Sequence, residues 1–185
     1  LGTNLTAGSM LFRHEKAWIL YYVFINPKVM VNSNEYLRKQ LADQIVGGNA
    51  FKKIEEILEE VAFSQLGVQF DSLPYTFWQQ FEHMRITQRD ILDFSTHADY
   101  TAPEWPRDYW TRDPAPKDRQ AWESSKGDFF RDRESFLSLI RHQSDLFQPF
   151  PHGTGQTLYR EALLILEHNA YHTGQLAIIS RLITK

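Results

Sequence analysis

From Asn34 onward, apolar residues recur at intervals of three and four with charged residues between them, and nothing alternates at period two for long enough to argue a sheet. The pattern predicts an all-α chain. A first helix is expected over "NEYLRKQLADQIVGG", with Leu37, Leu41 and Ile45 on one face and Gly47-Gly48 as its stop. A second is expected over "FKKIEEILEEVAFSQLG", with Phe51, Ile54, Leu58 and Val61 opposite Glu and Lys. A third is expected to open at Ser72 and Pro74, a capping residue followed by a proline suited to the first turn, and to run through "YTFWQQFEHMRITQRDILDFS". A fourth follows from about Asp118, and after the break "QPFPHGTG" either Thr154 or Gln156 opens the last. Mostly short joints between successive helices argue an antiparallel bundle.

One connection is not short. The stretch "THADYTAPEWPRDYWTRDPAPKDR" contains four prolines and reads as a long loop, which in a compact domain is usually a lid, a binding loop or disorder. Tyr100, Trp105, Tyr109 and Trp110 argue against disorder. The expectation is a tethered cover over one end of the bundle.

The last helix poses the chemical question, because "LEHNAYHTGQLAIISRLI" sets two histidines four residues apart in an apolar run. At about 100° per residue, Leu164, Ile165, His172, Gln175, Ile179, Leu182 and Ile183 fall within roughly 60° of His168. Ala162, Leu163, Ala170, Thr173 and Ala177 occupy the other side, so the helix is expected to be apolar nearly all round and central. Glu161 and Gln175 share the histidine stripe. His-x-x-x-His on one helix projects two imidazoles about 40° apart and one turn up, close enough to reach one ion at about 2.0–2.1 Å. Two readings stand at this point: a metal clamp, or a pair of core imidazoles donating to groups on neighbouring helices.

Composition narrows the chemistry. In 185 residues, 42% hydrophobic and 14% aromatic content suffices for one well-buried domain. A net charge of -3 without a long basic stripe gives no electrostatic reason to expect nucleic acid. With zero cysteines, any metal is held by nitrogen or oxygen, and disulfides and thiolate nucleophiles are excluded. A cytoplasmic location is compatible with that composition.

Residues 1–29 are expected to form an N-terminal extension, and residues 30–185 the bundle domain. The opening "LGTNLTAGSM" reads as a cloning remnant, and the patterned sequence begins only after Met30. A short extra element packing on the domain is the competing reading. Arg13 and Lys16 precede an apolar run from Ala17 to Ile25, but that run is too short to span a bilayer and no small-residue cleavage site follows it. No membrane partner is expected.

A metal site needs a third ligand. His14 lies in the extension, while His142 and His152 are most simply surface residues, and His97 ends the third helix. His83 has Thr76, Gln79, Gln80, Thr87 and Asp90 near its own face, whereas Phe77, Phe81, Met84 and Ile91 form the main apolar face. Periodicity alone therefore makes His83 a boundary or solvent residue.

The C-terminal "EHNAYHTGQLAIISRL" resembles the closing motif of the DinB superfamily of DinB/YfiT-like proteins, in which His-x-x-x-His is followed by Gly-Gln. The earlier "FWQQFEHMRITQRDIL" is similar to that family's helix carrying the remaining histidine, and "APEWPRDYW" to the Trp/Pro-rich loop of some branches. The resemblance covers roughly Asn34 to the C-terminus. It implies a four-helix bundle, often a homodimer, with His83, His168 and His172 as a triad on a divalent cation. Its members include transferases and isomerases that use low-molecular-weight thiols, and others labelled metal-dependent hydrolases or stress-response proteins.

Zinc and nickel both suit imidazole ligands, and iron or manganese remain open. For hydrolysis a carboxylate must take a proton, and Glu161 is the candidate catalytic base, with Glu167 pointing about 100° from His168. Gln175 is a candidate to orient an imidazole, against a helix–helix hydrogen bond. Tyr171, at the edge of the stripe, is expected in core packing with its hydroxyl toward the cavity. Trp105, Tyr109 and Trp110 are the candidate contacts for a small-molecule substrate. The sequence thus supports a metal-dependent transferase or hydrolase, a non-catalytic metal-holding or ligand-sensing stress protein, or a structural bundle without metal.

Overall fold

The computed structural model describes residues 27–185, with side chains from Ser33 onward. Residues 1–26 of the expected extension lie outside the described residues. Among the described residues there are five α-helices and no β-strand: α1 (Pro27–Val46), α2 (Ile54–Glu60), α3 (Phe77–Thr96), α4 (Arg119–His142) and α5 (Leu158–Ile183). Two 3-10 turns, Phe63–Gln65 and Arg107–Tyr109, lie between them. Gln40–Lys185 form one compact unit, and the described residues before Gln40 belong to another. None of these helices is long and apolar enough to cross a membrane.

The helix boundaries follow local hydrogen bonding. α3 starts at Phe77 and not near Ser72, because Thr76 and Gln79 form a reciprocal capping box. Thr76 Oγ1 accepts from the Gln79 amide at 3.2 Å, and Gln79 Oε1 accepts from the Thr76 amide at 3.1 Å. α4 opens where expected, with the Asp118 carboxylate accepting from the Ala121 amide at 2.8 Å. α5 opens at Thr157, past both expected openers, Thr154 and Gln156; the Gln156 side chain instead accepts from the Thr154 amide and holds the preceding turn. The helix expected over residues 51–67 is divided: Val61 adopts extended backbone, which stops α2 and leaves the 3-10 turn beyond it.

α3 packs against both α4 and α5, and α2 packs against α5. The centre of the core is aromatic. Phe77, Phe81 and Met84 of α3 are fully buried, and Phe81 meets the rings of Trp122 and Phe129 from α4 at 5.1 and 5.4 Å. Leu176 and Ile179 close the same cluster from α5. A buried amide chain ties the three helices together: Asn169 Nδ2 donates to Gln88 Oε1 at 3.0 Å, and Gln88 Nε2 donates to the Phe129 carbonyl at 2.7 Å. This fixes α3 against α5 near the histidines.

α5 is not apolar-buried all round. Leu163, Tyr171, Ile178 and Leu182 are exposed, while Thr173, expected on the side away from the histidines, is buried. The inward face is centred on Ala162, Ile165, Leu176 and Ile179, so the expected stripe is rotated by part of a turn.

Candidate metal centre

His83 is 3% exposed, which corrects its assignment to boundary or solvent. The cause is the long loop. Trp110 stacks flat on the imidazole, with ring centroids 4.0 Å apart and planes 3° from parallel, and Tyr75 stacks on Trp110 at 5.3 Å. His83 Nδ1 lies 2.9 Å from the Tyr109 carbonyl. A carbonyl only accepts, so Nδ1 carries the proton and Nε2 keeps its lone pair.

That lone pair faces α5. His168 Nε2 is 3.2 Å from His83 Nε2, and the His172 ring centroid lies 4.7 Å from that of His83 and 4.4 Å from that of His168. One ligand atom from each imidazole lies within 4.8 Å of the others, and among the described residues this is the only such group of His, Asp or Glu. The i, i+4 spacing on α5 supplies two imidazoles and α3 supplies the third.

Two amides address His172 Nδ1, namely Gln175 Oε1 and Gln80 Nε2, each at 2.6 Å. One ring nitrogen serves only one of these roles. Donating to Gln175 leaves Nε2 with its lone pair, whereas accepting from Gln80 puts the proton on Nε2. Turning the Gln80 amide end for end reconciles both contacts with the first state and gives a partner to Gln80 Oε1, which otherwise has none.

All three rings are held neutral. Burial lowers the His168 pKa to about 3, assisted by repulsion from His172 and His83. Burial lowers His172 to about 4, against the opposing hydrogen bond from Gln175. His83 is lowered by burial as well, with the Tyr109 carbonyl working the other way.

The remaining candidates divide. Trp105 is exposed and its ring lies 6.4 Å from His83, and Tyr109 presents its carbonyl to the same imidazole. Tyr171 meets the edge of His172 at 4.9 Å but is exposed, which corrects its placement in the core. Glu161 is buried as expected of its stripe, but it is seven residues before His168, about 10.5 Å along the helix axis. It lies instead in a recess of about 240 Å³ with Asp90, Tyr100, Gln156 and Arg160, and its carboxylate accepts from Arg160 at 2.7 Å. Burial raises its pKa. Among the other histidines, His97 and His142 are exposed, and His152 Nε2 donates to the Phe94 carbonyl at 2.8 Å.

Sequence reasoning missed Gln80, Tyr75 and Asp90. The signal for two of them was present, since Gln80 and Asp90 share the face of His83, but that polar face was read as solvated.

A family model described as the DinB superfamily matches residues 49–176. The chain belongs to this superfamily. The matched segment includes His83, His168, His172 and Gln175 of this DinB-superfamily chain. Neither the curated proteins nor the solved structures hold a match to it. The donor set fits a divalent cation: two nitrogens bonded at 2.0–2.1 Å in tetrahedral geometry lie about 3.3 Å apart, close to the observed 3.2 Å.

Proposed function

We propose that His83, His168 and His172 hold one divalent cation, zinc or nickel, and that the protein is a metal-dependent enzyme acting on a small molecule, a thiol-dependent transferase rather than a hydrolase. The observation that carries this reading is the convergence of three neutral imidazoles from two helices, with the Nδ1 of His83 occupied by an acceptor so that its Nε2 is free. A cation held by three neutral ligands keeps its full charge and, when bound, lowers the pKa of a thiol or water brought to it.

This chain's own residues favour the thiol branch. Hydrolysis calls for a base to take a proton from water, and no carboxylate belongs to the cluster among the described residues. Glu161 is two helical turns away and bonded to Arg160. The neighbours that are present are aromatic: Trp110 and Trp105 around His83, and Tyr171 against His172. Such a surface orients an apolar substrate body and excludes water, and a thiol substrate needs no cysteine of the protein.

The antiparallel four-helix arrangement belongs to the same reading. It is supported by the contacts Gln80 with His172, His83 with His168, and Asp90 in one recess with Glu161, which run in opposite order along α3 and α5.

Elemental analysis of protein purified without a His-tag or nickel column tests the centre, for the wild type and for His168→Ala. About one ion per chain in the wild type and none in the variant is expected. Absence of metal from the wild type, even after incubation with zinc or nickel, overturns the reading. Turnover of a low-molecular-weight thiol with an electrophile, set against ester and amide hydrolysis, then separates transferase from hydrolase.

A further inference from the structure

Asp90 sits seven residues after His83 on α3, two turns along the helix and about 20° round from it. Both of its carboxylate oxygens are engaged by the long loop. The Tyr100 hydroxyl donates to Oδ1 at 2.6 Å, and the Tyr109 hydroxyl donates to Oδ2 at 2.7 Å. Burial and the facing carboxylate raise the pKa of both phenols, which therefore stay protonated and act as donors.

Tyr109 is held at two points. Its side chain reaches Asp90, and its carbonyl accepts from His83 Nδ1 at 2.9 Å. One residue thus spans the two turns of α3 between a carboxylate and a ring of the cluster. The next residue, Trp110, lies flat on that same ring. Tyr100 shares the carboxylate, but its backbone bond goes to the His97 carbonyl and it makes no contact with a histidine of the cluster among the described hydrogen bonds.

We propose that Asp90 is a positioning residue for the three-histidine site: by anchoring the Tyr109 side chain, it fixes the carbonyl that sets the tautomer of His83 and leaves Nε2 free for a cation. The proposal rests on the metal-binding reading for its purpose, but its physical content does not need the metal. A neutral imidazole has two tautomers of similar energy, and a fixed carbonyl at Nδ1 selects one of them. Without the anchor the loop carbonyl is no longer held at hydrogen-bond distance, and protons distribute over both nitrogens. A cation then binds only the fraction of rings with a free Nε2, inside a less ordered loop. Removing the direct outer partner of a ligating histidine typically lowers metal affinity about 10- to 100-fold, and Asp90, one contact further out, is expected to have a smaller effect.

A clamp that merely stabilises the loop predicts something different. Tyr100 and Tyr109 would then be equivalent, since each contributes one hydroxyl to one oxygen of the same carboxylate.

The test uses the metal-free, ¹⁵N-labelled protein and its variants Asp90→Ala, Tyr109→Phe and Tyr100→Phe, with circular dichroism to establish the fold. Long-range ¹H–¹⁵N correlation of the imidazoles reports the tautomer of His83, and competition with a chelator reports the Zn²⁺ affinity. The wild type is expected to show the Nδ1–H form. Asp90→Ala and Tyr109→Phe are expected to show a mixture with the Nε2–H form and an affinity lowered several-fold, by the inverse of the fraction of rings with a free Nε2, and Tyr100→Phe to change each much less.

A purely Nδ1–H ring in Asp90→Ala or Tyr109→Phe overturns the proposal, as does an equal effect of the two tyrosine variants. If Asp90→Ala does not fold, Tyr109→Phe against Tyr100→Phe decides it. A wild type that binds no Zn²⁺ removes the metal-binding reading and leaves the tautomer result to stand or fall separately.

Discussion

The chemistry of the cluster turns on where single protons sit. His172 is ready to hold a cation only while its Nδ1 proton is given to an acceptor, and Gln175 Oε1 at 2.6 Å is the acceptor on its own helix, beside the Gln80 amide. Gln175→Ala is therefore expected to lower Zn²⁺ affinity about 10- to 100-fold, whereas Gln175→Glu, which keeps an acceptor at this position, preserves most of it. Chelator competition measures both. Unchanged affinity in the Ala variant would place Gln175 in helix packing alone. Its role could be suspected from the sequence because residues i and i+3 on a helix are neighbours. For Gln80 the shared face with His83 was the only signal, and its partner depends on how α3 meets α5.

At the scale of elements, Thr76 joins a helix end to the loop that covers His83. Its hydroxyl accepts from the Gln79 amide and donates to the Pro114 carbonyl at 2.7 Å, so one side chain serves two backbone groups. Thr76→Ala is expected to cost about 1–2 kcal/mol, a fall in Tm of roughly 2–8 °C for a domain of this size. Thermal denaturation measures it, and a variant within 1 °C of the wild type (on the order of 0.5 kcal/mol or less) would show that water replaces both bonds. The same residue illustrates what was legible in the chain. The existence of α3, α4 and α5 followed from period-3.6 patterning, and Asp118 was readable as a cap because nothing nearby competes with it. At α3, Ser72 and Pro74 satisfied the same starting rule as Thr76, although the Thr-x-x-Gln signature of the capping box that decides for Thr76 was present in the chain. His83 was hidden because two residues of the distant loop, Trp110 and Tyr109, bury it, and only the resemblance to a family picked it out. Glu161 shows the complementary limit. Periodicity gives the direction in which a side chain points but not its height relative to a neighbouring helix, so a residue on the right stripe came out two turns from the cluster.

Across the whole molecule, gathering three imidazoles in a buried site ties stability to pH. The ordinary histidine pKa is about 6.5, and the folded values are about 3 for His168, about 4 for His172, and lowered for His83. The unfolded chain therefore binds more protons than the folded one in this window, and stability falls as pH falls. The contribution is fully present above about pH 6.5 and declines below it, until pH passes the folded pKa of each ring. Glu161 and Asp132 act in the opposite sense, because burial raises their pKa and acid relieves that cost. Comparing the metal-free wild type with His168→Asn isolates the imidazole, since both proteins keep these carboxylates. From pH 7.5 to 5 the Tm of the wild type is expected to fall more steeply than that of the variant. Saturating Zn²⁺ is expected to raise the wild-type Tm at pH 7.5 and not that of the variant, since a ligand bound only by the folded state stabilises it. The metal-dependent rise is expected to persist toward pH 5, because in the folded state the rings stay neutral there and protons do not compete with the cation for them. Parallel Tm curves for the two metal-free proteins would mean that His168 binds a proton as readily in the folded state as in the unfolded one, and the buried, neutral cluster on which the metal-binding reading rests would have to be given up.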